Sequence, residues 1–140
     1  LSGADTKCQT RADAASLGGS WTAWLSDSST DAIDNNRITD QQYRLVDRKT
    51  IVANDLAKLI DGDIDVPINM DENGDPRSGF VWTATESDGT KDANNCDNWA
   101  SSSSSKPGET GDADKRNDKW TEKPGVDACS STLRIYCFEN

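Results

Sequence analysis

The stretch STLRIYCFEN, residues 131–140, decides the fold of this chain. Leu133, Ile135 and Cys137 fall at every second position, which is the period that predicts a β-strand with one buried face. An apolar strand at the end of the sequence needs a sheet to join. Its cysteine also needs a partner, and Cys8 lies near the other end of the sequence. If these two cysteines bond, the strand closes the fold from end to end.

The composition predicts one small domain over residues 1–140 that depends on cross-links. Only 21 of the 140 residues are Leu, Ile, Val or Phe, and the net charge is −10, a balance that leans towards disorder. Five Trp and four Cys argue for a folded chain. Each Trp buries on the order of 150–250 Å², and disulfides supplement a thin core. We therefore expect a folded domain rich in loops.

Charge and cysteine usage exclude several classes of protein. The acidic balance opposes binding to nucleic acid or to anionic membranes. No apolar run approaches the length of a membrane-spanning helix, so no membrane insertion is expected. The chain has no His and no CxxC pair, which argues against zinc. An even number of cysteines indicates an oxidising compartment, so we expect an extracellular or cell-surface protein.

The order of the patterns predicts an α+β fold with a mixed, mainly antiparallel sheet. A first helix is expected over residues 3–17, capped by Ser2 and ended by Gly18-Gly19, with Cys8 on its buried face. A second, short helix is expected over residues 55–60, capped by Asn54. Strands are expected at residues 21–26 and 80–85, a hairpin at 43–52, a polar segment at 28–36, and long loops at 61–79 and 101–126.

The first long loop carries a candidate calcium site. Oxygen-bearing side chains occupy loop positions 1, 3, 5, 9 and 12, which is the ligand spacing of an EF-hand loop. These residues are Asp61, Asp63, Asp65, Asn69 and Glu72. Val66 departs from the pattern, because the sharp turn at that position needs Gly. The alternative is a solvated acidic loop with side-chain turns, so Ca²⁺ is a candidate ligand of this loop, and no cofactor is required.

Five motifs resemble one known family in their order along the chain. They are GADTKC at 3–8, WTAWLS at 21–26, VWT at 81–83, CDNW at 96–99 and YCFEN at 136–140. Equivalent segments occur in endostatin, a collagen-derived domain with the C-type-lectin-like fold. The chain is similar more closely to a bacterial family of endostatin-like domains found in surface lipoproteins and secreted proteins. Some members of that family are described as binding host matrix or complement-regulator proteins.

The resemblance implies a disulfide pairing and limits the activity. It pairs Cys8 with Cys137 and Cys96 with Cys129, which is one of three possible connectivities. The chain lacks the Glu-Pro-Asn or Gln-Pro-Asp triplet of calcium-dependent sugar-binding lectins, so that activity is not expected. The arginines with which endostatin binds heparin have no counterpart that can be matched in this chain.

The sequence thus favours a non-enzymatic binding module. No His is present and every Cys is expected to be bonded, which excludes nucleophilic triads. The expected partner is an extracellular protein or glycan that meets the long loops, where Trp120 is a candidate ligand contact. The alternative is a structural subunit or decoration of an extracellular surface assembly or filament, which would self-associate and have no dissociable ligand.

Overall fold

A computed structural model describes residues 1–34 and 40–140. The predicted polar segment at 28–36 therefore ends outside the described residues. The helices are α1 (Ser2–Ala14) and α2 (Leu56–Leu59), and Asp118–Trp120 forms a 3₁₀ turn. The strands are β1 (Trp21–Ala23), β2 (Tyr43–Arg44), β3 (Ile51–Ala53), β4 (Phe80–Trp82), β5 (Pro107–Gly108), β6 (Thr110–Asp112), β7 (Asp127–Ala128), β8 (Arg134–Ile135) and β9 (Cys137–Glu139). The α+β class is confirmed.

The strands form several small sheets, where the sequence predicts one. In the described part of the chain the neighbours are β1–β9, β2–β3, β6–β4–β8 and β5–β7. Every pair is antiparallel except β4–β8, which is parallel. Each strand is only two or three residues long, because the chain turns or twists away before a longer ladder can form. None of the helices that the structure describes is long and apolar enough to cross a membrane.

Helix α1 begins and ends earlier than its pattern predicts. Leu1 takes the N-cap position and makes no side-chain capping bond, so the cap predicted at Ser2 is wrong. At the other end Ser16 adopts a left-handed φ of 56°. The amide of Leu17 then donates to the carbonyl of Ala12 at 3.0 Å, which is the Schellman pattern that ends helices. The stop is therefore a serine, two residues before the predicted glycine.

The terminal stretch is two short strands, and it has apolar side chains on both faces. β8 pairs with β4 in parallel, whereas β9 pairs with β1 in antiparallel. Between them Tyr136 is buried, and its carbonyl accepts a hydrogen bond from the amide of Trp24 at 3.1 Å. The prediction that residues 131–140 form a single strand with one buried face was therefore wrong. The face of Tyr136 and Phe138 is the more deeply buried one.

Other local predictions are confirmed or corrected at single residues. The hairpin is present as β2 and β3. Asp55 rather than Asn54 caps α2, since its carboxylate accepts from the amide of Lys58 at 2.8 Å. Residues 101–126 are not one irregular loop, because β5, β6 and the 3₁₀ turn lie within them.

An aromatic cluster forms the centre of the main core. Trp24 and Trp120 are both fully buried, with ring centroids 5.3 Å apart. Phe138 lies 5.6 Å from Trp24, and Tyr136 lies 5.6 Å from Trp120. The indole of Trp24 donates to the hydroxyl of Thr121 at 2.9 Å. Three segments that are distant in the sequence thereby meet at one point.

Buried hydroxyl groups extend this core in place of aliphatic side chains. Thr83 donates to the carbonyl of Thr121 at 2.7 Å, and Thr121 donates to the carbonyl of Thr85 at 3.1 Å. The hydroxyls of Ser26 and Thr85 lie 2.8 Å apart. All four residues are fully buried. Because each hydroxyl is hydrogen-bonded, its burial does not carry the penalty of an unsatisfied polar group.

A second core lies between α1 and the strands and is held by both disulfides. Cys8 bonds Cys137, and Cys96 bonds Cys129. The pairing that the resemblance implies is confirmed. Helix α1 contributes only small side chains here, Cys8 and Ala4, so the covalent bond replaces much of the packing that usually holds a helix.

Removing either disulfide should destabilise the protein, and removing the one that encloses more of the chain should cost somewhat more. The Cys8–Cys137 pair is separated by 129 positions and the Cys96–Cys129 pair by 33. Chain entropy gives about 4–5 kcal/mol for the first and about 3.5–4 kcal/mol for the second, against a typical total stability of about 5–15 kcal/mol. Urea unfolding of the two double Cys→Ala variants measures both losses. An unchanged midpoint in either variant would contradict this prediction.

Two glycine substitutions should have opposite effects. A β-carbon on Gly111 would lie 2.0 Å from the carbonyl oxygen of Trp120, and backbone cannot move aside cheaply. We expect Gly111→Ala to cost about 1–3 kcal/mol or more. Gly3 lies in α1 with open space around it, so Gly3→Ala should stabilise by up to about 1 kcal/mol. Thermal unfolding compares them, and equal midpoints would contradict the clash.

Candidate functional site

A large groove opens beside α1 and is the best candidate for a binding site. It has a volume of about 1070 Å³ and is lined by α1, by residues from 68–77 and by residues 131–135. We call it the α1 groove. Pockets of this size that combine apolar surface with a few charged groups are the usual form of a binding site. The first predicted long loop, residues 61–79, therefore does contribute to it.

The inner wall of the α1 groove is apolar and only partly covered. Leu1 and Ala4 contribute from the start of α1, and Leu133 and Ile135 from around β8. All four residues are half-buried rather than buried. Trp99 adds an aromatic surface, with its ring centroid 5.9 Å from that of Trp82. The second core is thus open to solvent along this side.

The edge of the α1 groove is cationic in an otherwise acidic protein. Two of its arginines are paired with carboxylates: Arg77 with Asp71 at 2.7 Å and Arg11 with Glu72 at 3.5 Å. Two further cations, Lys7 and Arg134, line the groove and are exposed. Neither forms an ion pair with any residue that the structure describes. Arg134 donates only to the carbonyl of Ser78, at 3.0 Å.

A left-handed turn, Cys96–Trp99, positions the aromatic wall. Its four residues have φ values between 54° and 63°, which side-chain-bearing residues rarely adopt. The turn is held at several points. Cys96 is disulfide-bonded, Asn98 accepts from the amide of Ser28 at 2.8 Å, and the Trp99 indole donates to the carbonyl of Ser26 at 2.8 Å. The sequence signal was the Asn- and Asp-rich run, because these residues tolerate left-handed backbone.

The predicted calcium ligands are not gathered around one point. Lys58 pairs with Asp61 at 3.1 Å and lies 3.9 Å from Asp63. Glu72 instead faces Arg11 across the groove edge. Over residues 1–34 and 40–140, no three His, Cys, Asp or Glu side chains are arranged to hold a metal ion. Asp65 is exposed, and Asn69 is half-buried. The alternative weighed for this loop, a set of side-chain turns, is visible where Asp61 accepts from the amide of Asp63 at 2.8 Å.

Trp120 is not a surface contact. Its side chain is fully buried between Trp24 and Tyr136, so the assignment as a ligand-binding residue was wrong. Its polar neighbours in the sequence suggested a loop tip, but the 3₁₀ turn directs the indole inward. The indole nitrogen has no hydrogen-bond partner within the described part of the chain.

A carboxyl cluster that was not predicted from the sequence lies after the C-terminal end of β4 and before the N-terminal end of β6. Its members are Glu86, Asp92, Glu109 and Glu122. Glu109 is 7 % exposed, and its Oε1 atom is buried and has no hydrogen-bond partner among the residues that the structure describes. Glu122 accepts from the amide of Ser87 at 2.9 Å. The chain has 25 acidic residues, and the four members of this cluster are spread between positions 86 and 122. They form no recognisable sequence motif, so the cluster could not be predicted.

Burial and repulsion raise the pKa of two members of this cluster. The pKa of Glu109 lies at about 7, because burial and the nearby charges of Asp92 and Glu122 raise it more than the amide of Thr110 and the charge of Lys123 lower it. Burial likewise raises the pKa of Glu86, and hydrogen bonding and repulsion with Glu122 and Asp92 add to the effect. Glu109 and Glu86 therefore take up protons near neutral pH, which ordinary carboxyl groups do not.

Neutralising Glu109 should stabilise the protein at alkaline pH. Its pKa is raised from 4.5 to about 7, so the folded state binds the proton more tightly than the unfolded chain does. The cost of ionising it is absent below pH 4.5, grows as pH rises, and is complete above about pH 7. We expect Glu109→Gln to gain about 1–3 kcal/mol at about pH 8 and nothing near pH 4.5. Urea unfolding across this range measures the gain.

Asp65→Asn is the matched control, since it also removes one carboxylate but at an exposed position. It should change stability by less than about 0.5 kcal/mol. If Glu109→Gln is destabilising at alkaline pH, or if its gain does not depend on pH, the buried-charge explanation is wrong.

Comparison with known families assigns the chain to a family but assigns no activity to it. A family model described as "Protein of unknown function (DUF1554)" matches residues 1–116, so the chain belongs to this family. The matched region contains α1, β1 to β6 and the left-handed turn. A search of curated proteins found no match to this chain.

Proposed function

We propose that this member of the DUF1554 family is an extracellular, non-enzymatic module that binds a protein or glycan ligand. The observation that carries the proposal is the α1 groove, where an apolar wall and unpaired cations face solvent together. Soluble proteins rarely leave such surface open without a binding role. The ligand is expected to meet the groove and the adjoining long loop, residues 61–79.

The C-type-lectin-like, endostatin-like fold is part of this proposal. It is supported by the end-to-end bond Cys8–Cys137 with the nested bond Cys96–Cys129. It is supported also by the terminal β9, which pairs with β1 near the start of the chain. Two disulfides fit a secreted or surface-exposed protein, because such bonds persist in oxidising compartments.

A binding role explains the described side chains better than catalysis does. The carboxyl groups with the most strongly raised pKa, Glu109 and Glu86, belong to the carboxyl cluster and do not line the α1 groove. Glu109 is also too deeply buried to reach a substrate without rearrangement. The groove itself offers cations and apolar surface, which suit recognition rather than acid–base chemistry.

The oxidised domain, residues 1–140, should be a monomer that captures a ligand. Light scattering after gel filtration gives the mass, and arrays of extracellular-matrix proteins, serum proteins and glycans give the binding. We expect saturable capture of at least one ligand class by the monomer, and loss of that capture when both disulfides are reduced, because α1 then leaves the groove wall.

The competing role, a structural subunit of a surface assembly, gives the reverse result. Such a subunit should appear as high-mass species and bind nothing on the arrays. If the protein binds nothing on any array and also self-associates, the binding proposal is wrong.

A further inference from the structure

We propose that the α1 groove binds an acidic peptide segment of a partner protein, which lies extended along the free edge of β8. This inference rests on the proposed function and names the chemistry of the ligand. It follows from three independent features of the groove: its charge, its apolar wall and the strand edge that it exposes.

The first feature is charge. The groove is lined by four cations and two carboxylates, a net charge of +2, on a chain whose total is −10. The rest of the protein therefore carries −12. Both carboxylates already face arginines, so Lys7 and Arg134 are left to meet an external anion. A cationic groove on an acidic protein selects an anionic ligand by local complementarity.

The second feature is the apolar wall between these cations. Leu1, Ala4, Leu133 and Ile135 are half-exposed and line the groove. A ligand that fills the groove removes this surface from water, which is favourable only if the ligand also carries apolar groups. Acidic side chains alternating with aliphatic ones satisfy both requirements.

The third feature is the strand edge. β8 ends the order β6–β4–β8, so among the described residues, 1–34 and 40–140, it has a hydrogen-bonded strand on one side only. Leu133, Arg134 and Ile135 all line the groove. Successive side chains of a strand point to opposite faces, so three consecutive residues line a groove only where it runs along the strand edge. An extended peptide can pair there through its main chain, as in β-augmentation.

These features favour a peptide over an anionic polysaccharide. A sulfated or carboxylated glycan would pair with Lys7 and Arg134 but carries no aliphatic side chains for Leu133 and Ile135. It also has no backbone amides to pair with β8. The apolar wall and the strand edge would both remain without a partner.

A displayed library of random octapeptides tests the inference on the oxidised domain. We expect the enriched peptides to contain Asp or Glu together with Val, Ile or Leu. Their binding should fall about tenfold in the charge-reversal variant Lys7→Glu/Arg134→Glu. Backbone N-methylation of a selected peptide at alternate residues should also abolish binding, since it removes the amide donors while keeping the side chains. Amide NMR shifts should map to α1 and to residues 131–135.

Lys115→Glu/Arg116→Glu is the matched control, because it makes the same charge change at exposed residues outside the groove. It should leave peptide affinity within about twofold. Basic consensus peptides, or no enrichment, would overturn the inference. So would a larger loss in the control than in the groove variant, or tighter capture of a sulfated oligosaccharide than of any peptide. Array binding that maps outside the groove would contradict this inference but would not contradict the proposed function, a non-enzymatic binding module.

Discussion

The bond between Cys8 and Cys137 holds α1 against the terminal stretch, residues 131–140, which is apolar on both faces, and the two cores form on either side of that stretch. On one side Tyr136 and Phe138 join the aromatic cluster around Trp24. On the other side Leu133 and Ile135 face the disulfides and α1. A chain with few aliphatic residues can hold two cores only if one segment serves both, and the terminal stretch does so.

Local patterns predicted the local parts of this fold, and prediction failed where distant segments decide the outcome. The hairpin β2–β3 was predicted, because a turn and two short apolar runs are adjacent in the sequence. β8 and β9 lie where a single strand was predicted, and their more deeply buried face was not predicted, since the aromatic partner of Tyr136 is Trp120, which is distant in the sequence. Trp120 was misread for the same reason. Its neighbours in the sequence are polar, whereas its neighbours in space are not.

The candidate site was harder to predict than the fold. The bonds Cys8–Cys137 and Cys96–Cys129 were predicted correctly, because the resemblance to a known family implies this pairing, whereas the residues alone favour only the first. The acidic loop attracted a calcium prediction because its spacing is regular, yet the structure pairs several of its acids with cations. Lys7 and Arg134 carried no signal, since a single exposed cation is ordinary and only the fold brings these two to one groove.

The groove is itself a consequence of holding a helix by a covalent bond. A helix fixed by packing presents large aliphatic residues to the core, and these fill the space beneath it. Helix α1 presents Ala4, Cys8 and Ala12, which are too small to cover Leu133 and Ile135. The bond from Cys8 removes the need for larger side chains, because it restricts the unfolded chain instead of adding contacts to the folded one. The uncovered apolar wall therefore persists at little cost to stability, and it is the surface to which we propose that a ligand binds.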